Sequence, residues 1–425
     1  MLISIKEMKI YRRTALSFLA IFLFSCAGQP AVREGGYEAG IPESFQQETG
    51  KALLPQDGVE LFKQGNYLTI IAAGDNLYHE VMIRDGEDGD YLNAYSGIRS
   101  LTKKADIAFI NQETLLAGKD FGFSGYPLFN SPQKLGSAIS SVGFNIVNHA
   151  TNHIMDKGEK AIIATMDFWD TIPEVTILGI HRSEEDRAIP RLVKKNNITL
   201  GFLSYSYGTN GIPVPADKTY LVSLIDTEIM AKEIDALRPF CDFLVVSMHW
   251  GEEYRTKISK RQEELAAFLA EHRVDLVIGH HPHVIQKMEY ILRPDGRFML
   301  CYYSLGNLIS AQTQTPTLLG SLAYLRIKKT APTGSRDRGN NLDDNGFDDN
   351  GPGEIVILSA GAIPVVTHYE KNFTGFGVYP LYDYTEELLE KHRKNQDKNE
   401  LTMPFLDSTV KEILGNFAIN KNPEL

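Results

Sequence analysis

Short apolar runs stand out from polar surroundings at 68–73, 107–110, 145–147, 175–178, 198–205, 243–247, 276–278, 298–303, 322–327 and 354–358. Most are continuous rather than alternating, as expected of strands covered on both faces. Helical periodicity fills several of the gaps. Asp226 is placed to cap a helix whose Met230, Ile234 and Leu237 fall at i, i+4 and i+7. Leu265, Phe268 and Leu269 make the same stripe within 259–272, and 160–169 and 132–142 read as further helices. Strand alternating with helix predicts an α/β fold with mainly parallel strands. Ten runs exceed the roughly four to six strands of a typical sheet, so two stacked sheets are expected.

The pattern lapses in three places. Residues 26–66 are polar and dotted with Gly, Pro, Gln and Glu, which suits a flexible tether. Within 328–353, Asp, Asn and Gly dominate without the ligand spacing of an EF-hand, so this stretch reads as a mobile surface insertion. The folded domain is expected over 67–382, followed by a charged helical tail over 383–425 that packs on the outside. At the other end, 1–25 has the layout of an export signal. Lys6, Lys9, Arg12 and Arg13 precede an apolar run at 14–24, too short for the ~20 residues of a spanning helix. Leu23-Phe24-Ser25-Cys26 resembles a bacterial lipoprotein signal, in which Cys26 becomes the lipidated first residue. The expectation is an exported protein, lipid-anchored to the bacterial cell envelope.

A net charge of −11 makes the chain a poor fit to nucleic acid, where basic patches supply the affinity. Cys241 and Cys301 are far apart and beside expected strands, so buried free thiols are expected rather than a disulfide framework. The sequence holds no CxxC, phosphate-loop or strand-linked dinucleotide motif.

The candidate chemistry lies where the apolar runs end, the edge at which open α/β sheets bind ligands. The first run is followed by Asp75, with His79 four residues on, and the second by Asn111 and Glu113. The third leads to Asn152-His153, with Asp156 beyond, and the fourth to His249-Trp250-Gly251 and Glu253. The fifth leads to Gly279-His280-His281-Pro282-His283, which concentrates three of the chain's 11 histidines. A later strand ends at Ser304-Leu305-Gly306-Asn307. Taken singly, each has a structural explanation, such as Asp75 capping a helix or His249 hydrogen-bonded in a core. Together they predict a metal site. Mixed imidazole, carboxylate and amide ligands suit Zn, Mn, Fe or Ni rather than Ca. Five or six ligands suffice for two ions bridged by one carboxylate.

These motifs, in this order, resemble those of CapA-type capsule (poly-γ-glutamate) synthesis proteins, which have the calcineurin-like metallophosphoesterase fold. The resemblance covers roughly 67–325 and continues more faintly to about 382. It implies an α/β/β/α sandwich of two mixed sheets flanked by helices, with one or two divalent transition-metal ions at one edge. By position it implies Asp75, Glu113, Asn152, His249, His281 and His283 as metal ligands, and His153 with Asp75 as catalytic residues. His79, His280, Asn111 and Glu253 are additional candidates, and the sequence leaves His280 and His281 as alternatives. The chain departs from ordinary phosphoesterases, whose first motif is Asp-x-His, because Leu77 stands two residues after Asp75. The function implied is metal-dependent hydrolysis or transfer on an anionic cell-surface polymer such as poly-γ-glutamate. The alternatives are a non-catalytic polymer-binding partner of a membrane synthase and a general phosphoesterase.

Overall fold

The computed structural model describes residues 67–86, 91–330, 353–397 and 400–423. The expected export signal, Cys26, the tether and nearly all of the 328–353 insertion lie outside the described residues. The strands are β1 (Tyr67–Leu77), β2 (Ile107–Gln112), β3 (Ile146–Asn148), β4 (Thr176–Leu178), β5 (Arg191–Lys195), β6 (Ile198–Ser206) and β7 (Phe243–His249). They continue with β8 (Leu276–His280), β9 (Met288–Leu292), β10 (Phe298–Tyr302), β11 (Asn307–Ser310), β12 (Leu319–Lys329), β13 (Ile355–Glu370) and β14 (Thr374–Pro380).

Two mixed sheets result. The first runs β14-β13-β12-β1-β2-β3-β4, with β11 paired to the end of β1. The second runs β5-β6-β7-β8-β10-β9. In the first, β1 to β4 are parallel and β12 to β14 form an antiparallel meander. In the second, β6, β7, β8 and β10 are parallel, between antiparallel edges β5 and β9. The expectation of mainly parallel strands therefore holds for β1–β4 and for β6, β7, β8 and β10, and fails on the β12–β14 side of the first sheet and at edges β5 and β9 of the second.

Side-chain alternation explains the layering. In β7, Phe243 and Val245 enter the core shared with the first sheet, whereas Leu244, Val246 and Met248 face a second apolar layer. In β8, Leu276 and Ile278 lie in the shared core and Val277 in the second layer. Five helices of nine or more residues occur among the described residues: α1 (Gln133–Ser141), α2 (Glu159–Trp169), α3 (Thr227–Leu237), α4 (Lys260–Glu271) and α5 (Met403–Ile413). The second layer is closed by Met230, Ile234 and Leu237 of α3 and by Leu265, Ala266 and Leu269 of α4. Asp226 caps α3, and Ser259 forms a capping box with Gln262 on α4. Both helices thus stand where their apolar stripe and cap place them.

The C-terminal tail contributes Leu389, Leu401, Leu406, Val410 and Leu414 to the main core. It is also stitched to β13 by the Ile419 amide donating to the Ala362 carbonyl at 2.8 Å. Among the described residues no helix is long and apolar enough to cross a membrane. Cys241 and Cys301 are free, the latter buried.

Candidate metal centre

The residues of the site come from the ends of β1, β2, β3, β7 and β8 and the loops beyond them. At the first of these the sequence reading needs correction. Asp75 neither follows its strand nor caps a helix, because β1 continues to Leu77. The pairing of β1 shifts register on either side of Asp75, a bulge that re-aims the carboxylate. Gly74 permits this: a Cβ there would lie 2.0 Å from the Gly306 carbonyl oxygen. The Asp75 amide donates to that same oxygen at 2.9 Å. Asp75 is fully buried. Its carboxylate accepts from Asn111 Nδ2 at 2.8 Å and contacts His283 Nδ1 at 3.0 Å.

Behind it runs a buried amide relay. Asn148 Nδ2 donates to Asn111 Oδ1 at 2.6 Å, and the Ser204 hydroxyl donates to Asn148 Oδ1. Asn111 thereby acts on the carboxylate rather than on the cluster of donor atoms. Neither Asn148 nor Ser204 stood out in the sequence. Asn148 is the last residue of β3, so strand-end reasoning carried one position further would have reached it.

Glu113 is the centre of the arrangement. It is fully buried, and neither carboxylate oxygen has a hydrogen-bond partner. Its Oε1 lies 3.8 Å from His249 Nε2 and 3.9 Å from His283 Nε2. Donor atoms of Glu113, His249 and His281 lie within 4.8 Å of one another, as do those of Asp75, Glu113 and His283. Glu113 belongs to both groups. A third group joins exposed Glu253 to His281 and His283. Asn152 Oδ1 accepts from His249 Nε2 at 2.9 Å, which places the amide beside the first group.

The loop after β8 decides between neighbouring histidines. His281 and His283 have φ of 97° and 59°, left-handed values that non-glycine residues seldom adopt. The Tyr254 amide holds the turn by donating to the Pro282 carbonyl at 2.8 Å. Both rings thereby join the cluster. His280, still within β8, stacks on Phe109 with ring centroids 5.7 Å apart and reaches Asp75 Oδ1 only at 3.6 Å. His79 stands outside all three groups, and its Nδ1 lies 3.2 Å from the Leu77 carbonyl. It occupies the N-cap position of the short helix Glu80–Asp85 without a side-chain capping bond, and is not one helical turn from Asp75, since strand separates them.

His153 lies beside this centre. Its Nδ1 donates to Asp156 Oδ2 at 2.8 Å, and Phe129 packs edge-on against its ring at 4.6 Å. Two contacts escaped the sequence reading. Asn210 Oδ1 accepts from Asn152 Nδ2 at 3.1 Å, and the exposed Tyr207 ring lies 4.6 Å from His281. Both follow β6, whose end, Ser206 to Gly211, carries no Asp, Glu or His to mark it.

Electrostatics fit a cation. Burial pushes the Glu113 pKa well above the usual carboxylate range, only partly countered by His283. Burial, reinforced by the other imidazoles, holds His249 far below its ordinary value and brings His281 down to about 3. Both are therefore neutral, the form that ligates metal. Burial also acts against a charged His283, yet Glu113 and Asp75 outweigh it and push this imidazole up to about 9. Buried carboxylates with unpartnered oxygens are costly unless positive charge or donors compensate them. A divalent ion among these imidazole and carboxylate donors would meet that need.

Fold and site together define a two-sheet α/β sandwich with a buried His/Glu/Asp cluster at the sheet edge. The chain belongs to the bacterial capsule synthesis protein family PGA_cap, whose family profile matches residues 69–312. It is 30% identical over 193 residues to the PGA biosynthesis protein CapA of Bacillus subtilis, covering 45% of this chain and 49% of that protein. It is likewise 30% identical over 201 residues to the capsule biosynthesis protein CapA of Bacillus anthracis, covering 45% and 46%. The matched region spans about half the length of these relatives. Among solved structures, the calcineurin-like phosphoesterase YfkN from Bacillus subtilis is similar at 11% identity and a TM-score of 0.39. That match covers 82% of this chain and 98% of the other.

Proposed function

We propose that this protein is a metal-dependent hydrolase or transferase of the bacterial envelope, acting in capsule biosynthesis on an anionic polymer of the poly-γ-glutamate class. The observation that carries the reading is Glu113, buried with both oxygens unpartnered between two groups of potential ligands. Asp75, Glu113, Asn152, His249, His281 and His283 would hold one or two divalent transition ions. Such an ion, when bound, supplies Lewis acidity and lowers the pKa of a coordinated water toward about 7. Asn111 orients the Asp75 carboxylate. His153 has Nδ1 on Asp156 and Nε2 3.4 Å from Asn210 Nδ2, and as the imidazolium it would pass a proton from Nε2 to a leaving group. Exposed Tyr207 and Tyr254, with ring centroids 4.6 Å from His281 and 6.0 Å from His283, line the approach. An envelope location through a lipidated Cys26 belongs to the same reading.

Metal analysis of the purified protein, then assay of γ-glutamyl amides and phosphoesters with and without chelator, tests it. Asp75→Asn and His283→Ala are expected to abolish metal retention and chelator-sensitive turnover while the circular dichroism spectrum stays unchanged. Full activity of both variants on the true substrate would sink the proposal. A second reading, a polymer-binding partner of a membrane synthase without turnover, is favoured by Leu77 in place of the first-motif histidine and by His79 outside the donor groups. Polymer retention without cleavage of any substrate in the panel would select it.

A further inference from the structure

Asn152 is the one amide in the proposed ligand set, and an amide offers a metal its oxygen, whereas its NH2 group only donates. Which end of Asn152 faces the donor cluster therefore depends on what holds the other end. The residue is 1% exposed, so both ends need partners within the fold. Its Oδ1 lies 2.9 Å from His249 Nε2, and its Nδ2 donates to Asn210 Oδ1 at 3.1 Å. The Tyr207 hydroxyl donates to the same Asn210 oxygen at 3.2 Å. Asn210 Nδ2 lies 3.4 Å from each ring nitrogen of His153. One side chain from the loop after β6 thus touches both Asn152 and His153.

The backbone gives a plainer reason for an asparagine here. The Ile212 amide donates to the Thr209 carbonyl at 2.9 Å, closing a turn whose central residues Asn210 and Gly211 have φ of 50° and 79°. Positive φ at both positions favours Asn-Gly. Glycine would serve such a turn equally well at position 210. The loop is also held without the Asn210 side chain. The Thr209 hydroxyl donates to the Ile212 carbonyl at 2.6 Å, and the Ser206 hydroxyl to the Gly208 carbonyl at 2.8 Å. What glycine would not supply is the acceptor for Asn152.

We propose that Asn210 is a positioning residue of the metal centre: by accepting from Asn152 Nδ2 it keeps the Asn152 oxygen turned toward His249 and the donor cluster. This rests on the ligand set given under the proposed function. Without the acceptor, the buried amide is free to turn over and to set its NH2 group where a cation needs an oxygen.

The test is competitive chelator titration of the full chain with Mn, beside the visible absorption spectrum of the Co-loaded protein. Asn210→Gly keeps the left-handed backbone and removes the acceptor. It is expected to weaken Mn binding about 10- to 100-fold and to shift the Co bands. Its melting temperature in chelator should match wild type, because residue 210 is exposed. Asn210→Asp tolerates the same backbone and keeps an oxygen acceptor, so it should bring Mn binding back to within about threefold of wild type. Wild-type Mn affinity in Asn210→Gly, with Asp75→Asn still abolishing binding, would overturn the positioning role and leave the ligand set standing. Failure of Asn210→Asp to restore binding would overturn it as well. A wild-type chain that binds neither Mn nor Co would remove both the role and the ligand set.

Discussion

Glu113 sets function against stability within one side chain. Its buried oxygens lack partners and burial pushes its pKa well above the usual carboxylate range, so ionising it in the metal-free fold is costly, a cost the neutral amide lacks. Glu113→Gln is therefore expected to raise the melting temperature of chelated protein at alkaline pH and to remove the stabilisation that added Mn or Zn confers. Thermal scans with and without metal measure both. A different histidine reports on pH. His149 is fully buried, accepts from Trp169 Nε1 at 2.8 Å, and burial brings it from 6.5 to about 3. Below pH 6.5 the unfolded chain takes up a proton that the folded chain refuses, so stability is complete above that pH and is lost as pH falls toward 3. The slope is about 1.4 kcal/mol per pH unit for this one residue. Urea titrations in chelator at pH 7, 6 and 5 should show a slope to which other buried histidines also contribute, and His149→Gln should lower it by that one-residue share.

At the scale of elements, close approach of backbones matters more than helix strength. Gly74 lets β1 pass within contact of the 305–307 turn, and a Cβ there meets the Gly306 oxygen at 2.0 Å. Gly74→Ala is expected to cost about 1–3 kcal/mol or more and to displace Asp75, with metal affinity falling at least tenfold. Ser259→Ala removes the cap of α4 at a similar cost of about 1 kcal/mol. That helix packs on the far side of the second sheet, so metal affinity should stay as in wild type. Urea unfolding beside competitive chelator titration separates the two.

Over the whole molecule, the tail after β14 is part of the core. Leu389, Leu401, Leu406, Val410 and Leu414 are each less than a tenth exposed and join the main cluster. At roughly 1.5–3 kcal/mol for each buried aliphatic side chain, their loss approaches the ~5–15 kcal/mol by which a domain is stable. A chain ending at Asp383 is expected to aggregate or to lose dispersion in its amide NMR spectrum. A dispersed, cooperatively melting truncation would contradict that role.

Local pattern was enough for much of this. Asp226 and Ser259 announced their helices because a cap and an apolar stripe lie within one or two turns of chain. The central strands were legible as continuous apolar runs because both their faces are covered. Edge strands β5 and β9 were not, since their partly exposed sequences carry no such run, and β11 and β14 were missed as well. The motifs at the strand ends pointed to one edge of the sheets, where these side chains do cluster, because a strand delivers its last side chains there whatever its neighbours. Strand order and backbone conformation decided what no local window encodes. They made Glu113 the shared member of two donor groups, set His281 in the cluster while His280 stacks on Phe109, and left His79 aside. The physical reason is that a ligand set is a convergence in space. It depends on register shifts, left-handed turns and crossings between segments distant in sequence, and these exist only once the sheets have assembled.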